Sequence, residues 1–398
     1  MTPFSMETTT HRANDFYRTE RLVDVPTPNL TQDIHPLFAR SKFWGLPQSL
    51  EYPVLACRLA SLLVEKALPF FHSILVIGDL TPGDPCTGKR CHSYPEPKTS
   101  LTLTAQQETR TRLFELSTWL IYSTNLTGDP DLESAQCRPM LGSRFKQMSG
   151  HGSMIDFNPA MLCHIQSAKT AGDHVKFLYY NCWLALSLVH ELGHAAVYAT
   201  TTWDCGEGFV GDSQSAEVGY LLEAFLFGGL LNLGPSLKRF GIDAPCYIND
   251  KTPSSLSYMI CVLDYPNIDQ IQDYADAGQN CPFRGEALPG AYALWNVPLS
   301  WLHNLFQQDF WDKALEGGNS YLRPPKTTGL VVPEGDQDLG SEHIRIYAAE
   351  LAKSGKFEVN DQGIVTPVKP PKRRVSTRVK AGVSRAMKAL VPRHSRLA

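Results

Sequence analysis

The chain carries the segment His190-Glu191-Leu192-Gly193-His194, in which two imidazoles are four residues apart and a carboxylate follows the first of them. On a helix, positions i and i+4 lie one above the other on the same face. Two neutral imidazoles in that arrangement can bind one Zn²⁺ and leave an adjacent position for a water molecule. The spacing therefore predicts a zinc site with His190 and His194 as ligands and Glu191 as the general base.

The residues on both sides of this segment favour a long buried helix. Residues 179–189 and 195–200 are uncharged, mostly apolar and free of Pro. Two histidines and a glutamate inside an apolar helix are costly without a compensating partner, and a metal ion supplies one. The alternative is a buried helix whose histidines only form hydrogen bonds in the core.

In this segment the chain resembles the zincin metallopeptidases. The resemblance rests on residues 179–200 and on the acidic segment after them. The chain is also similar to uncharacterised fungal proteins in which the same motif precedes a Glu-rich helix that ends in Phe-Gly-Gly. The resemblance implies an α-rich α+β domain with a short mixed sheet and two site helices, and zinc-dependent hydrolysis of a peptide or protein substrate.

A catalytic zinc site has three protein ligands and an open position, and no third His follows His194 at the metzincin spacing. Glu217 is the predicted third ligand. It opens a second apolar helix, which ends at Gly228, and the gluzincin branch of the zincins delivers a Glu from such a helix. The alternatives are that Glu217 only complements the helix dipole, and that Glu223 is the ligand or the partner of a ligand His. The segment between His194 and Glu217 also holds three further acids, Asp204, Glu207 and Asp212.

The composition is that of a globular protein with unevenly distributed charge. The chain has 398 residues, of which 43% are hydrophobic, and a net charge of −3, which suits one large domain or two lobes. Residues 365–398 hold ten Lys or Arg and no acid, whereas residues 1–364 hold 27 basic and 40 acidic residues. We expect a flexible segment at 1–35, the metallopeptidase domain at 36–364 and a basic tail at 365–398.

The first residues contain neither a basic region nor an apolar core, so no secretory signal is expected. Ten cysteines without such a signal are expected to be reduced thiols of an intracellular protein, cytoplasmic or nuclear. No integral membrane span is expected, because the apolar runs at 182–202 and 220–234 contain ionisable residues.

A competing function follows from the same motif. Zinc would then join two helices in a non-catalytic protein, with a nearby acid or Cys205 closing the site, and the tail would make the functional contact with nucleic acid or an anionic membrane. A closed site with four protein ligands is structural, whereas a site with an open position is catalytic.

Hydrophobic periodicity predicts the remaining elements. Helices are expected at residues 53–71, 105–124, 298–315 and 341–353, and strands at residues 73–78 and 154–157. The zincin resemblance implies that the strand at 154–157 is an edge strand that borders the active-site cleft and pairs with substrate backbone. Groups that could stabilise an oxyanion are Tyr198, Tyr220, Tyr292 and His303, with a core histidine as the alternative for His303.

The basic tail leads to a prediction that is independent of the metal site. Ten cations without an acid should bind polyanions through phosphate contacts, with an affinity that falls steeply as salt rises. We expect the full-length protein to bind DNA or anionic vesicles at low salt more tightly than a chain that ends at Ile364. Equally weak binding by both proteins would favour a tail that is merely solvated.

Overall fold

A computed structural model of the chain describes residues 25–80, 92–125, 135–140, 142–143, 145–201, 208–233, 260–263, 291–317, 319–326, 329–333, 349, 351–353, 357–359 and 364–368. These residues form a mixed α and β structure in which helices outweigh strands, in agreement with the predicted α-rich mixture of helices and strands. The predicted helix at 341–353 lies largely outside the described residues, and residues 351–353 are helical.

The helices of the described residues include the helix of the motif and the predicted second helix after Glu217. In chain order they are α1 (Val54–Lys66), α2 (Leu68–His72), α3 (Leu103–Thr118), α4 (Ala160–Ala171), α5 (His174–Thr200), α6 (Val218–Phe227), α7 (Leu299–Asn304) and α8 (Gln308–Glu316). A π-helical turn at Ser73–Ile77 continues α2, and 3₁₀ turns lie at Pro36–Phe38, Arg40–Lys42 and Asn319–Tyr321.

The strands form two sheets and a separate pair. They are β1 (Phe43–Trp44), β2 (His92–Tyr94), β3 (Leu120–Ser123), β4 (Ala135–Met140), β5 (Gly152–Phe157), β6 (Gly208–Val210), β7 (Leu230–Leu233), β8 (Ile260–Leu263), β9 (Ala291–Val297), β10 (Gly329–Pro333), β11 (Phe357–Val359) and β12 (Ile364–Pro367). A four-stranded sheet has the order β1-β3-β5-β4, in which β4 alone is antiparallel to its neighbour. A six-stranded antiparallel sheet has the order β11-β12-β10-β9-β8-β7, and β2 pairs in parallel with β6.

Helix α5 lies at the centre of this arrangement. It packs against α1, α4 and α6 and against strands β4 and β5. Asp173 begins the helix, because its side chain accepts a hydrogen bond of 3.0 Å from the backbone N–H of Lys176. Most side chains of α5 are buried, so the sequence prediction of a long buried helix around the motif is confirmed.

The strand predicted at residues 73–78 is wrong, because Ser73–Ile77 forms a π-helical turn. A short apolar run has no period from which strand and helix can be told apart. Here the run continues directly from α2, and Gly78 ends it with a φ of 77°. The helix predicted at 53–71 divides at Ala67, two residues before Pro69, where α1 ends and α2 begins.

Two further helices end earlier than the periodicity predicts. The helix expected at 105–124 ends at Thr118, and the apolar residues after it form β3 between β1 and β5. The helix expected at 298–315 divides into α7 and α8. The N-terminus of α8 is held by Asn29, whose side-chain oxygen accepts a hydrogen bond of 2.7 Å from the backbone N–H of Gln308.

The structure describes residues at both ends of the predicted body. Residues 25–35 were assigned to the flexible segment, but Leu30 is buried and its carbonyl accepts a hydrogen bond of 2.6 Å from Arg58. The compact unit extends to Pro367, because residues 365–367 belong to β12 and Val365 is buried. A truncation that tests the tail should therefore retain Pro367; of the residues after it, the structure describes Val368 alone.

None of the described helices is by itself long and apolar enough to cross a membrane. The pair Val54–Lys66 and Leu68–Ile77 has the necessary length and composition when the two are taken together, with a bend of 62° between them. Among the described cysteines, Cys57, Cys137, Cys163 and Cys182 form no disulfide bonds.

Candidate metal centre

The two histidines of the motif lie on one face of α5, opposite the N-terminus of α6. His190, Glu191 and His194 offer ligand atoms that lie within 4.8 Å of one another, a group that could hold a metal ion. Glu217 is the residue that caps α6, because its Oε2 accepts a hydrogen bond from the backbone N–H of Tyr220. The cap fixes the carboxylate at the helix end and leaves Oε1 turned toward the imidazoles.

Three electron-pair donors converge at this point. The Nε2 atoms of His190 and His194 are 3.3 Å apart, and Oε1 of Glu217 lies 2.9 Å from Nε2 of His194 and 3.4 Å from Nε2 of His190. The Glu217 side chain is 2% exposed, and its Oε1 has no hydrogen-bond partner despite these short distances. A buried carboxylate oxygen without a hydrogen bond is rare and calls for an explanation, such as an ion bound next to it.

Glu223 lies on the other side of the His190 ring. Its Oε1 is 2.8 Å from Nδ1 of His190, and its Oε2 accepts a hydrogen bond of 3.3 Å from the backbone N–H of Leu231 in β7. A carboxylate at Nδ1 favours the tautomer whose proton is on that atom, so the lone pair of the neutral ring is on Nε2. The structure thus places Glu217 at the converging nitrogens and Glu223 at the opposite nitrogen.

Glu191 is buried next to the cluster and is tied to the four-stranded sheet. Its carboxylate accepts a hydrogen bond from the backbone N–H of Cys137 in β4. Burial raises the pKa of Glu191, and the carboxylate of Glu217 adds to this, while the two imidazoles and the Cys137 N–H oppose it. A carboxyl group with a raised pKa is better suited to exchanging protons near neutral pH than an ordinary glutamate.

The electrostatics of the cluster favour a cation. Burial acts to lower the pKa of His190, but Glu217, Glu223 and Glu191 outweigh burial and raise that pKa to about 10. Burial acts to raise the pKa of Glu217, but His190 and His194 outweigh it and hold that pKa well below its ordinary value. Both shifts have the same origin, because three carboxylates surround two imidazoles and stabilise positive charge between them.

The donor set fits zinc. A tetrahedral zinc ion with bonds of about 2.0–2.1 Å separates its ligand atoms by about 3.3–3.4 Å. The three separations here, 2.9, 3.3 and 3.4 Å, are close to that value. Two imidazole nitrogens and one carboxylate oxygen are also a ligand set that zinc accepts in catalytic sites. His190, His194 and Glu217 are therefore the residues that would hold the ion.

The other residues that the sequence suggested have different surroundings. Tyr220 packs edge to face on His190, with ring centroids 5.0 Å apart. His303 is buried on α7, burial lowers its pKa, and neither of its ring nitrogens has a hydrogen-bond partner. Tyr198 lies on α5, four residues after His194, and Asp212 follows β6 and is exposed. Four of the predicted candidates have side chains outside the described residues: Asp204, Cys205, Glu207 and Tyr292.

The predicted edge strand is wrong in one respect. The strand around residues 154–157 is β5, and it lies inside the sheet between β3 and β4. The edge next to the metal site is β4, which pairs antiparallel with β5 from Ala135↔Phe157 to Met140↔Gly152. Sequence patterning did not find β4, because half of its residues are polar or Pro.

Gly219 is a site residue that the sequence reasoning missed. A Cβ at this position would lie 2.3 Å from Nε2 of His190 and 2.5 Å from both ring carbons next to it. Its absence allows the first turn of α6 to approach the imidazole. The signal was present in the sequence, since a Gly inside an apolar helix lowers helix stability and usually has a packing reason.

We expect Gly219→Ala to displace the His190 ring and to weaken zinc binding, although alanine has the higher helix propensity. The matched control is Gly193→Ala, inside the motif itself, where the nearest atoms to a Cβ are Val218 atoms at 3.4 Å. Zinc titrations of both variants measure the difference. Equal zinc affinities in Gly219→Ala and the wild type would show that the close approach is not required.

Comparisons of the chain with protein-family models, curated proteins and solved structures found no match. The class of protein must therefore be argued from the geometry of the site.

Proposed function

We propose that the protein is a zinc-dependent peptidase of the gluzincin-like zincin type. In this proposal His190, His194 and Glu217 bind the ion, Glu191 transfers protons, and Glu223 orients His190. The observation that carries the proposal is the convergence of two Nε2 atoms and the buried, otherwise unpartnered Oε1 of Glu217 within 2.9–3.4 Å.

In this proposal a residue of the chain carries the proton that hydrolysis moves from water to the leaving amine. When bound, zinc supplies Lewis acidity, which lowers the pKa of a water molecule and polarises the scissile carbonyl. Glu191 accepts a proton from the water molecule while the water oxygen attacks the carbonyl carbon. Glu191 then passes that proton to the nitrogen of the leaving amine as the C–N bond breaks. The Cys137 N–H holds the Glu191 carboxylate in place during both transfers.

Two features of the described residues favour a catalytic over a structural site. The side chain of His190 is 16% exposed, so solvent reaches this ring of the cluster. Among the described residues, the histidines and carboxylates at the cluster are His190, His194, Glu191, Glu217 and Glu223. Three of them, His190, His194 and Glu217, supply the converging atoms. Three protein ligands with an opening leave a position for water, whereas a structural site is closed by a fourth protein ligand.

The test is hydrolysis of a mixed peptide library by protein loaded with one equivalent of zinc. We expect cleavage that stops on chelation and returns on addition of zinc. A protein that binds zinc but cleaves nothing in a broad library, and whose metal has no exchangeable water, would contradict the peptidase proposal. The zinc would then join α5 and α6 as a structural ion.

A further inference from the structure

A cavity of about 380 Å³ lies between the C-terminal ends of α1 and α8 and the N-terminal ends of α2 and α3. Its volume is in the range of small-molecule sites, about 300–1,000 Å³. Lys66 and Gly317 are among its lining residues, and Leu68, Leu101 and Leu315 contribute apolar surface. None of the residues that line the cavity belongs to the metal cluster, so an inference about it does not depend on the proposed peptidase function.

The ammonium group of Lys66 lies beside this cavity. Lys66 is 8% exposed, and its Nζ donates hydrogen bonds of 2.5 Å to the carbonyl oxygens of Ala314 and Gly317, at the C-terminal end of α8. Gly317 lines the cavity, so its hydrogen bond to Nζ holds the positive charge at the cavity wall. The two carbonyls take up two of the three N–H donors of an ammonium group, and one donor remains.

This buried charge has no counter-ion among the described residues. No described carboxylate forms an ion pair with Lys66, and the neighbouring Glu65 binds Arg110 instead. The carbonyls of α8 supply only the partial negative charge of a helix C-terminus. Burial lowers the pKa of Lys66, and no nearby acid counteracts this effect. Buried lysines are rare without an anionic partner, and the cavity beside Nζ has room for one.

We propose that this cavity binds a small carboxylic acid with an aliphatic body, whose carboxylate accepts the third N–H of Lys66. A charge-assisted hydrogen bond of this kind compensates the buried ammonium. The leucines of the lining contact the carbon atoms of the ligand, and Leu315, which is 39% exposed, loses contact with water when the ligand binds.

The charges of the lining limit the ligand to one negative group. Glu65 and Glu316 also line the cavity. The charge of Glu65 is balanced by Arg110, whereas Glu316 is exposed and has no ion pair among the described residues. A second carboxylate or a phosphate dianion would be repelled by Glu316, so a monocarboxylate fits the cavity better.

The test compares the binding of hexanoate and of hexanamide, which has nearly the same shape without the charge, by titration calorimetry of the full-length protein. For the wild type we expect Kd to be about tenfold to 100-fold lower for hexanoate. Lys66→Met keeps a flexible side chain of similar length without the charge and should abolish this preference. Because Lys66→Met also removes hydrogen bonds from α8, a second variant leaves Lys66 in place. Leu315→Glu adds a negative charge to the lining and should weaken hexanoate binding about tenfold or more.

The matched controls are Lys313→Met, an exposed lysine on α8, and Leu103→Glu, a leucine on α3 that is 82% exposed; neither residue lines the cavity. Both controls should bind hexanoate as the wild type does. The inference is overturned by equal binding of the two compounds to the wild type, by no detectable binding of either, or by an unchanged preference in Lys66→Met. If Lys66→Met does not fold, wild-type affinity for hexanoate in Leu315→Glu overturns it. Lys66 would then only cap α8.

Discussion

Replacement of Glu191 by Gln should reduce kcat by about 10²–10⁴-fold while the protein keeps its zinc and its fold. The amide is nearly isosteric with the carboxylate and can still accept the hydrogen bond from the Cys137 N–H, but it cannot accept a proton from water. Because Glu191 is not a ligand in this account, zinc content should stay near one equivalent. The measurement is hydrolysis of the best library peptide, together with zinc content and thermal unfolding.

The control for this prediction is Glu115→Gln. It changes a carboxylate on α3 that accepts hydrogen bonds from the backbone N–H groups of Lys146 and Gln147. That variant should retain wild-type kcat. Cleavage by Glu191→Gln at the wild-type rate would contradict the role of Glu191, and cleavage that also persists with chelator would identify a contaminating peptidase.

Replacement of His194 by Ala should abolish the stabilisation that zinc gives to the wild type. A ligand that binds only the folded state raises the free energy of unfolding by about 4 kcal/mol when its free concentration is 1,000 times Kd. The wild type should therefore unfold at a higher denaturant concentration with zinc than after chelation. His194→Ala should unfold at the same concentration in both conditions, because Nε2 of His194 is one of the three converging donors.

The matched control is His174→Ala, which removes a histidine at the first residue of the same helix, α5. It should keep the full difference between zinc and chelator. A His194→Ala protein that is stabilised by zinc as much as the wild type would show that the ion binds elsewhere.

The parts of the site that depend on neighbouring residues in the sequence were predictable. The spacing of His190 and His194 places both residues on one face of a helix, and the uncharged residues around them indicate that this helix is buried. Helix α5 is long and mostly buried, as predicted. The second helix was also predictable, because an apolar run follows Glu217 and ends at Gly228, a residue type that is common at helix C-termini. Both residues cap α6 in the structure.

The parts that depend on tertiary contacts were not predictable in this way. The sequence left Glu217 and Glu223 as alternatives, since the rotation of α6 about its axis is set by packing against α5. The hydrogen bonds from Cys137 to Glu191 and from Leu231 to Glu223 come from two different sheets, and no local pattern encodes them. The π-helical turn at Ser73–Ile77 was not predictable either, because its short apolar run fits a strand equally well.

The most direct test of the account is the zinc content of Glu217→Ala and Glu223→Ala beside the wild type. We predict about one equivalent in the wild type, loss of zinc in Glu217→Ala, and retention in Glu223→Ala with an affinity about 10- to 100-fold weaker, because Glu223 only orients a ligand. Retention of zinc in Glu217→Ala together with its loss in Glu223→Ala would contradict the assignment of Glu217 as the third ligand.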